Sequence, residues 1–214
     1  MRVGQVLRMS LRDFYDNSWR LVLVNGVLGI VLASIAFVTV VVHAAIVLLV
    51  LAGPILAALV HCAVLLVREG SVTLADAHAG LRLHWRRGLA LGAVGAVLVG
   101  LALLAVVFYS RSSLLWPLAF CTVYVFVLLG VYQIVLWTLA IADPRRSLLG
   151  AAHEAALLVA RRPGTTLLLG LALLLVNALG LAAAVMPFLT LTIAYTFVAA
   201  AHFVLPRPSS EAPR

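Results

Sequence analysis

Four stretches of the 214-residue chain contain no Asp, Glu, Lys or Arg: 21–67, 88–110, 112–142 and 164–206. Few folds can use such runs. A helix crossing a hydrocarbon core about 30 Å thick needs about 20 apolar residues. The first and last runs therefore hold two crossings each, and the middle two hold one apiece. The expected spans are approximately 20–42, 45–67, 88–110, 114–142, 165–185 and 187–205. Helices satisfy their own backbone hydrogen bonds in lipid, and no ten-residue alternation points to a barrel. Composition agrees, with 65% of residues hydrophobic and 10% charged, against roughly 45–50% and about 25% in soluble domains. The expected fold class is all-α: a polytopic integral membrane helical bundle with six transmembrane helices. It forms a single membrane domain over 1–206, followed by a disordered tail at 207–214.

A net charge of +8 would suggest nucleic acid in a soluble chain; its placement here argues for a membrane instead, and no nucleic-acid partner is expected. All 15 basic residues are Arg. Four precede residue 21, four fall between 68 and 87, four between 145 and 162, and two in the tail. Only Arg111 sits in a link on the other side. The positive-inside rule then puts both termini and the two long loops in the cytoplasm, and six crossings give the same parity. Arg2, Arg8, Arg12, Asp13, Asp16 and Arg20 precede an apolar run far longer than the roughly 7–15 residues of a signal peptide, so no cleavable signal is expected. Phe108, Tyr109 and Trp116 mark one boundary, and Trp19, Trp85 and Trp137 the other, as an aromatic belt would.

The first basic loop contains LADAHAGLRLHWRRG, residues 74–88. Thr73 and Asp76 form a candidate capping box. Leu74, Ala77, His78, Leu81 and Trp85 fall on one helical face. Arg86 and Arg87 suit the negative end of a helix dipole, and Gly88 permits a sharp change of direction. The expectation is an amphipathic interfacial helix over 73–87 on the cytoplasmic leaflet. The second loop repeats it over 144–162, with Asp143-Pro144 as its start, Arg161-Arg162 at its close and Pro163-Gly164 as its stop. An offset of 75 pairs His78 with His153 and both Arg-Arg doublets, which fits either an internal duplication or two loops with one task. The break between the first two spans is marked only by His43, or alternatively by Gly53-Pro54.

Four segments together resemble the YesL-like family of uncharacterised bacterial membrane proteins: VNG at Asn25, GPILAAL at 53–59, LRLHWRRGLALG at 81–92 and AAHEAALLVARRPGTTLLLG at 151–170. The proline follows the first-span Asn less closely here than in that family. The resemblance implies a multi-helix protein of the bacterial inner membrane, with members often associated with carbohydrate uptake or use. It carries no catalytic residue.

The spans contain no Asp, Glu, Lys or Arg, which disfavours a carboxylate-based pump, and no HExxH is present. Neither a catalytic constellation nor a cofactor is expected. Cys62 and Cys121 lie in apolar runs and form no CxxC motif. His43, His61 and His202 lie in or near the bilayer without metal-ligand spacing. Asn25, in LVLVNGVLG, and Asn177, in LLLVNALG, are candidate intramembrane polar residues, as is Gln133 in the most polar span; each could bond a neighbouring helix or line a pathway. Gly92, Ala96 and Gly100 form a small-xxx-small ridge, continued by Gly88, for packing within the bundle or across a homodimer. His78, Arg82, Arg86, Arg87, His153, Arg161 and Arg162 are the candidate cytoplasmic interaction residues. Their partners would be anionic lipid headgroups or an acidic surface of a membrane permease. The expected function is that of a non-enzymatic accessory or regulatory protein in solute, and by resemblance carbohydrate, uptake. The alternative is a small transporter or channel with its pathway along spans one, four and five.

Overall fold

The computed structural model describes residues 3–41, 48–183 and 191–205. Among them the regular elements are helical and no strand occurs. In chain order they are α1 (Val3–Asp16), α2 (Ser18–Val41), α3 (Leu49–Glu69), α4 (Leu74–Tyr109), α5 (Trp116–Ala142), α6 (Leu148–Arg161), α7 (Pro163–Ala183) and α8 (Ile193–Val204). Four described segments are long and apolar enough to cross a bilayer: Val50–Glu69, Leu74–Tyr109, Trp116–Ala142 and Pro163–Gly180. A fifth results if the bent pair α1 and α2 counts as one. The described residues thus form an all-helical structure with four to five candidate membrane-spanning helices. His43, the break at Met186-Pro187 and the tail lie outside the described residues.

The first departure from the sequence reading is α1. Val3, Val6, Ser10 and Phe14 recur at three- and four-residue spacing and are buried, while Arg8 and Arg12 are exposed. Burying that apolar stripe is what holds a short helix of this kind. Val3 and Val6 pack against Leu169 and Leu173 of α7 and Ala199 of α8. The helix bends by 94° into α2. Tyr195 donates its hydroxyl to the Leu7 carbonyl at 3.1 Å, and His202 meets Asp13 at 2.7 Å. These contacts place the first and last described helices at one end of the bundle.

α3 is the central element. Ala57 through Val60 and Cys62 through Val64 are buried, and the helix touches α2, α4, α5 and α8. It closes at Gly70, whose φ of 78° is the left-handed conformation that glycine adopts without strain. Pro54 lies inside α3 rather than at its start. Trp137, expected at a membrane boundary, is instead buried in this core, while Trp19 and Trp85 are exposed with Arg20 and Arg86 stacked on their rings at 5.2 Å.

The largest correction concerns Gly88. No change of direction occurs there, because α4 runs unbroken from Leu74 to Tyr109, 36 residues, or about 54 Å at 1.5 Å per residue. The segment 73–87 is therefore no separate interfacial helix. Gly88 serves a close approach: a Cβ placed on it would lie 2.7 Å from Pro54 Cα and 2.8 Å from the Gly53 carbonyl oxygen. A Cβ on Gly92 would meet the Val50 carbonyl oxygen at 3.0 Å, and one on Gly80 would meet the His61 ring at 2.7 Å. The close-packed row on α4 is thus Gly80, His84, Gly88 and Gly92, set antiparallel against α3. Ala96 is half-buried beyond that row, and a Cβ on Gly95 or Gly100 would meet nothing within 4 Å.

The start of α4 follows the sequence signal. Thr73 Oγ1 accepts from the Asp76 amide at 3.3 Å, and the Thr73 amide donates to Asp76 Oδ2 at 2.8 Å. The same Thr73 groups hold the Asp76 carboxyl below the usual carboxylate range. In the second loop the cap is Ser147, which accepts from Gly150 N at 3.1 Å, rather than Asp143. Asp143 Oδ1 closes a turn by accepting from Arg145 N at 3.0 Å, so α6 begins at Leu148. Shifting 74–109 by 75 gives 149–184, close to α6 plus α7; shifting 49–69 gives 124–144, against α5. These two segments correspond in element order, with Pro163 breaking the helix where Gly88 lets it continue.

Candidate functional site

Charge in this chain gathers where helices end. The last carbonyls of α5 have no intrahelical partner and carry the negative end of its dipole. Arg87, on α4, supplies the donors. Its Nη1 donates to the Ala140 carbonyl at 2.7 Å and the Asp143 carbonyl at 3.1 Å, and its Nη2 to the carbonyls of Pro144 and, at 2.7 Å, Arg146. Arg68 of α3 adds a bond from Nη2 to the Ala142 carbonyl at 3.1 Å. Arg20, at the start of α2, donates to the Val72 carbonyl in the α3–α4 turn. Arg146 and Glu154 form an ion pair across the head of α6. Only a planar, five-donor guanidinium can hold four carbonyls in this way. Arg87 is therefore a clamp on the α5–α6 connection, not the free surface charge that its Arg-Arg doublet suggested.

Its neighbours in sequence behave differently. Arg82, Arg86, Arg161 and Arg162 are exposed, as are His78 and His153. Arg87 joins α4 to the head of α6, and the end of α6 faces the end of α8. There Glu154, Leu157, Leu158, Arg161, Arg162, Phe203 and Val204 line an open groove of about 450 Å³. The face expected to lie on lipid, Ala77, His78 and Leu81, instead looks across a shallow apolar groove at Val24 and Val27 of α2 and Ile55 and Ala58 of α3.

The intramembrane polar residues are not brought together. Asn177 on α7 donates to the Leu173 carbonyl at 2.7 Å and to Thr196 Oγ1 of α8 at 2.9 Å. Asn25 on α2 is fully buried, and neither of its amide atoms has a partner. Gln133 is half-buried on α5. Among the described residues no hydrogen bond links any two of the three.

This contrast makes a testable pair. Asn25→Leu removes an unpaired buried amide and is expected to leave thermal stability in detergent unchanged or raised. Asn177→Leu breaks a helix–helix bond and is expected to cost about 1 kcal/mol. If the Asn25 variant unfolds at the lower temperature of the two, the Asn25 amide makes a bond that outweighs the cost of its burial.

No family model, curated protein or solved structure matches the chain.

One arrangement has no counterpart in the sequence reading. His84 of α4 is 1% exposed with neither ring nitrogen bonded, and its ring lies 5.1 Å from that of His61 on α3. The Gly80, Gly88, Gly92 spacing around it was the available signal, since a residue inside a close-packed row must itself be buried. Among the described residues no group of three His, Cys, Asp or Glu side chains could hold a metal ion.

Proposed function

We propose that the chain is a non-enzymatic protein of the bacterial inner membrane with six crossings and cytoplasmic termini. On this reading it is an accessory or regulatory partner of a permease. The crossings are α2, α3, the part of α4 after Arg87, α5, α7 and a last one, about 187–205, that ends in α8. The 74–87 part of α4 and the helix α6 form its basic cytoplasmic surface. The observation that carries the reading is the division of labour among the polar groups. Asn177, Tyr195, His202 and Arg87 bond to neighbouring helices, while Arg82, Arg86, Arg161 and Arg162 remain exposed. A surface of exposed Arg suits an acidic partner or anionic lipid. The carbohydrate element comes from the resemblance to the YesL-like family alone.

Tagged chain purified from native membranes is expected to bring a permease with it. Charge reversal at Arg82, Arg86, Arg161 and Arg162 together is expected to release that permease at unchanged chain abundance. Co-purification that survives reversal would refute the basic surface as the docking face. A second reading, a small transporter, is favoured by the unpartnered Asn25. It requires solute flux in liposomes containing the chain alone, lost on Asn25→Leu.

A further inference from the structure

Beside α1 lies an apolar groove of about 390 Å³, lined by Leu11 and Phe14 of α1, Val176 of α7, and Leu191, Thr192 and Tyr195 at the start of α8. Its volume falls within the roughly 300–1,000 Å³ of small-molecule sites. The lining offers little to a polar ligand: the Tyr195 hydroxyl already donates to Leu7, and Thr192 is itself buried. The helix at its edge is firmly seated. Val3 and Val6 pack on α7 and α8, Phe14 meets the Tyr195 ring edge-on at 6.2 Å, and Asp13 bonds His202.

The same helix carries charge next to the groove. Arg8 and Arg12, one turn apart, are exposed, and the groove-lining Leu11 lies between them in sequence. The nearest acid, Asp13, is engaged by His202, and Asp16, a turn beyond Arg12, is exposed without an ion pair. Among the described residues neither Arg8 nor Arg12 forms an ion pair. α1 stands at 94° to α2, the attitude of a helix lying in the plane of a bilayer surface when its neighbour crosses. A dry slot with two unpaired cations beside it matches the two halves of a phospholipid. Apolar volume takes an acyl chain, and Arg at headgroup depth attracts an anion.

We propose that the groove beside α1 binds one acyl chain of an anionic phospholipid, whose headgroup Arg8 and Arg12 hold. The test is native mass spectrometry of the full chain in mild detergent, titrated with phosphatidylglycerol or with phosphatidylcholine of the same chains. Phosphatidylglycerol is expected to be retained roughly tenfold more tightly. Arg8→Gln with Arg12→Gln removes that preference. Leu11→Trp fills the slot and lowers retention of both lipids, whereas Arg111→Gln, an exposed arginine in the α4–α5 link, changes neither. Excess glycerol phosphate, a headgroup without chains, leaves the complex intact. Equal retention of the two lipids by the native chain overturns the proposal without any variant having to fold. So do a preference that survives Arg8→Gln with Arg12→Gln, displacement by glycerol phosphate, or a protein dimer that excludes both lipids.

Discussion

Arg87→Ala is expected to lower the unfolding free energy in detergent by about 3 kcal/mol, the largest loss from any single arginine. Bonds to a charged donor contribute about 1.5–3 kcal/mol each and do not add in full, so four carbonyls on one guanidinium support that figure even after solvent screening. Arg86→Ala, next in sequence but exposed and stacked only on Trp85, is expected to cost about 0.5–1 kcal/mol. Arg87→Lys should recover little, since a point charge cannot reach the same fork of carbonyls. Thermal unfolding of the three variants measures the difference. Equal losses for Arg86 and Arg87 would mean that the clamp contributes nothing and that the doublet acts only as surface charge.

Gly53→Ala is expected to destabilise by about 3 kcal/mol, because its new methyl would collide with the Gly88 carbonyl oxygen. The obstacles, the Gly88 carbonyl and the Gly92 Cα, are backbone, so no side-chain rotation relieves the clash. α3 and α4 must separate along the row that runs from Gly80 to Gly92. Gly100→Ala, where a Cβ meets nothing within 4 Å, is expected to be neutral or slightly stabilising through helix propensity. The comparison needs only the unfolding midpoint of each variant. A tolerated Gly53→Ala would show that the two helices do not pack backbone to backbone.

Much of the architecture could be read from the chain, and the residues that could not share a cause. The apolar runs announced long helices because removing charge over 20 residues has one common physical purpose. The Thr73–Asp76 box was legible because both its partners lie within four residues. Gly88 was not, since glycine serves a turn and a close approach equally well. What decides between them is Gly53, 35 positions earlier. Arg87 was misjudged for a related reason: its partners are main-chain carbonyls, which carry no signature in sequence. His84 went unnoticed because a histidine between charged residues looks solvated until its row is seen to face α3. The helix α1 has amphipathic spacing, but it is short and precedes a far longer apolar run that dominates the pattern. Arg82, Arg86, Arg161 and Arg162, by contrast, are exposed, as charges outside the apolar runs should be.

The bond between Asp13 and His202 spans 189 positions, and that between Tyr195 and Leu7 spans 188. Synthesis runs from α1 toward α8, so the buried stripe of α1 is made well before α7 and α8, the helices that cover it. Until they arrive, any apolar surface nearby, a bilayer's included, can shelter that stripe. The seating of α1 is therefore a late event, set by helices far along the chain.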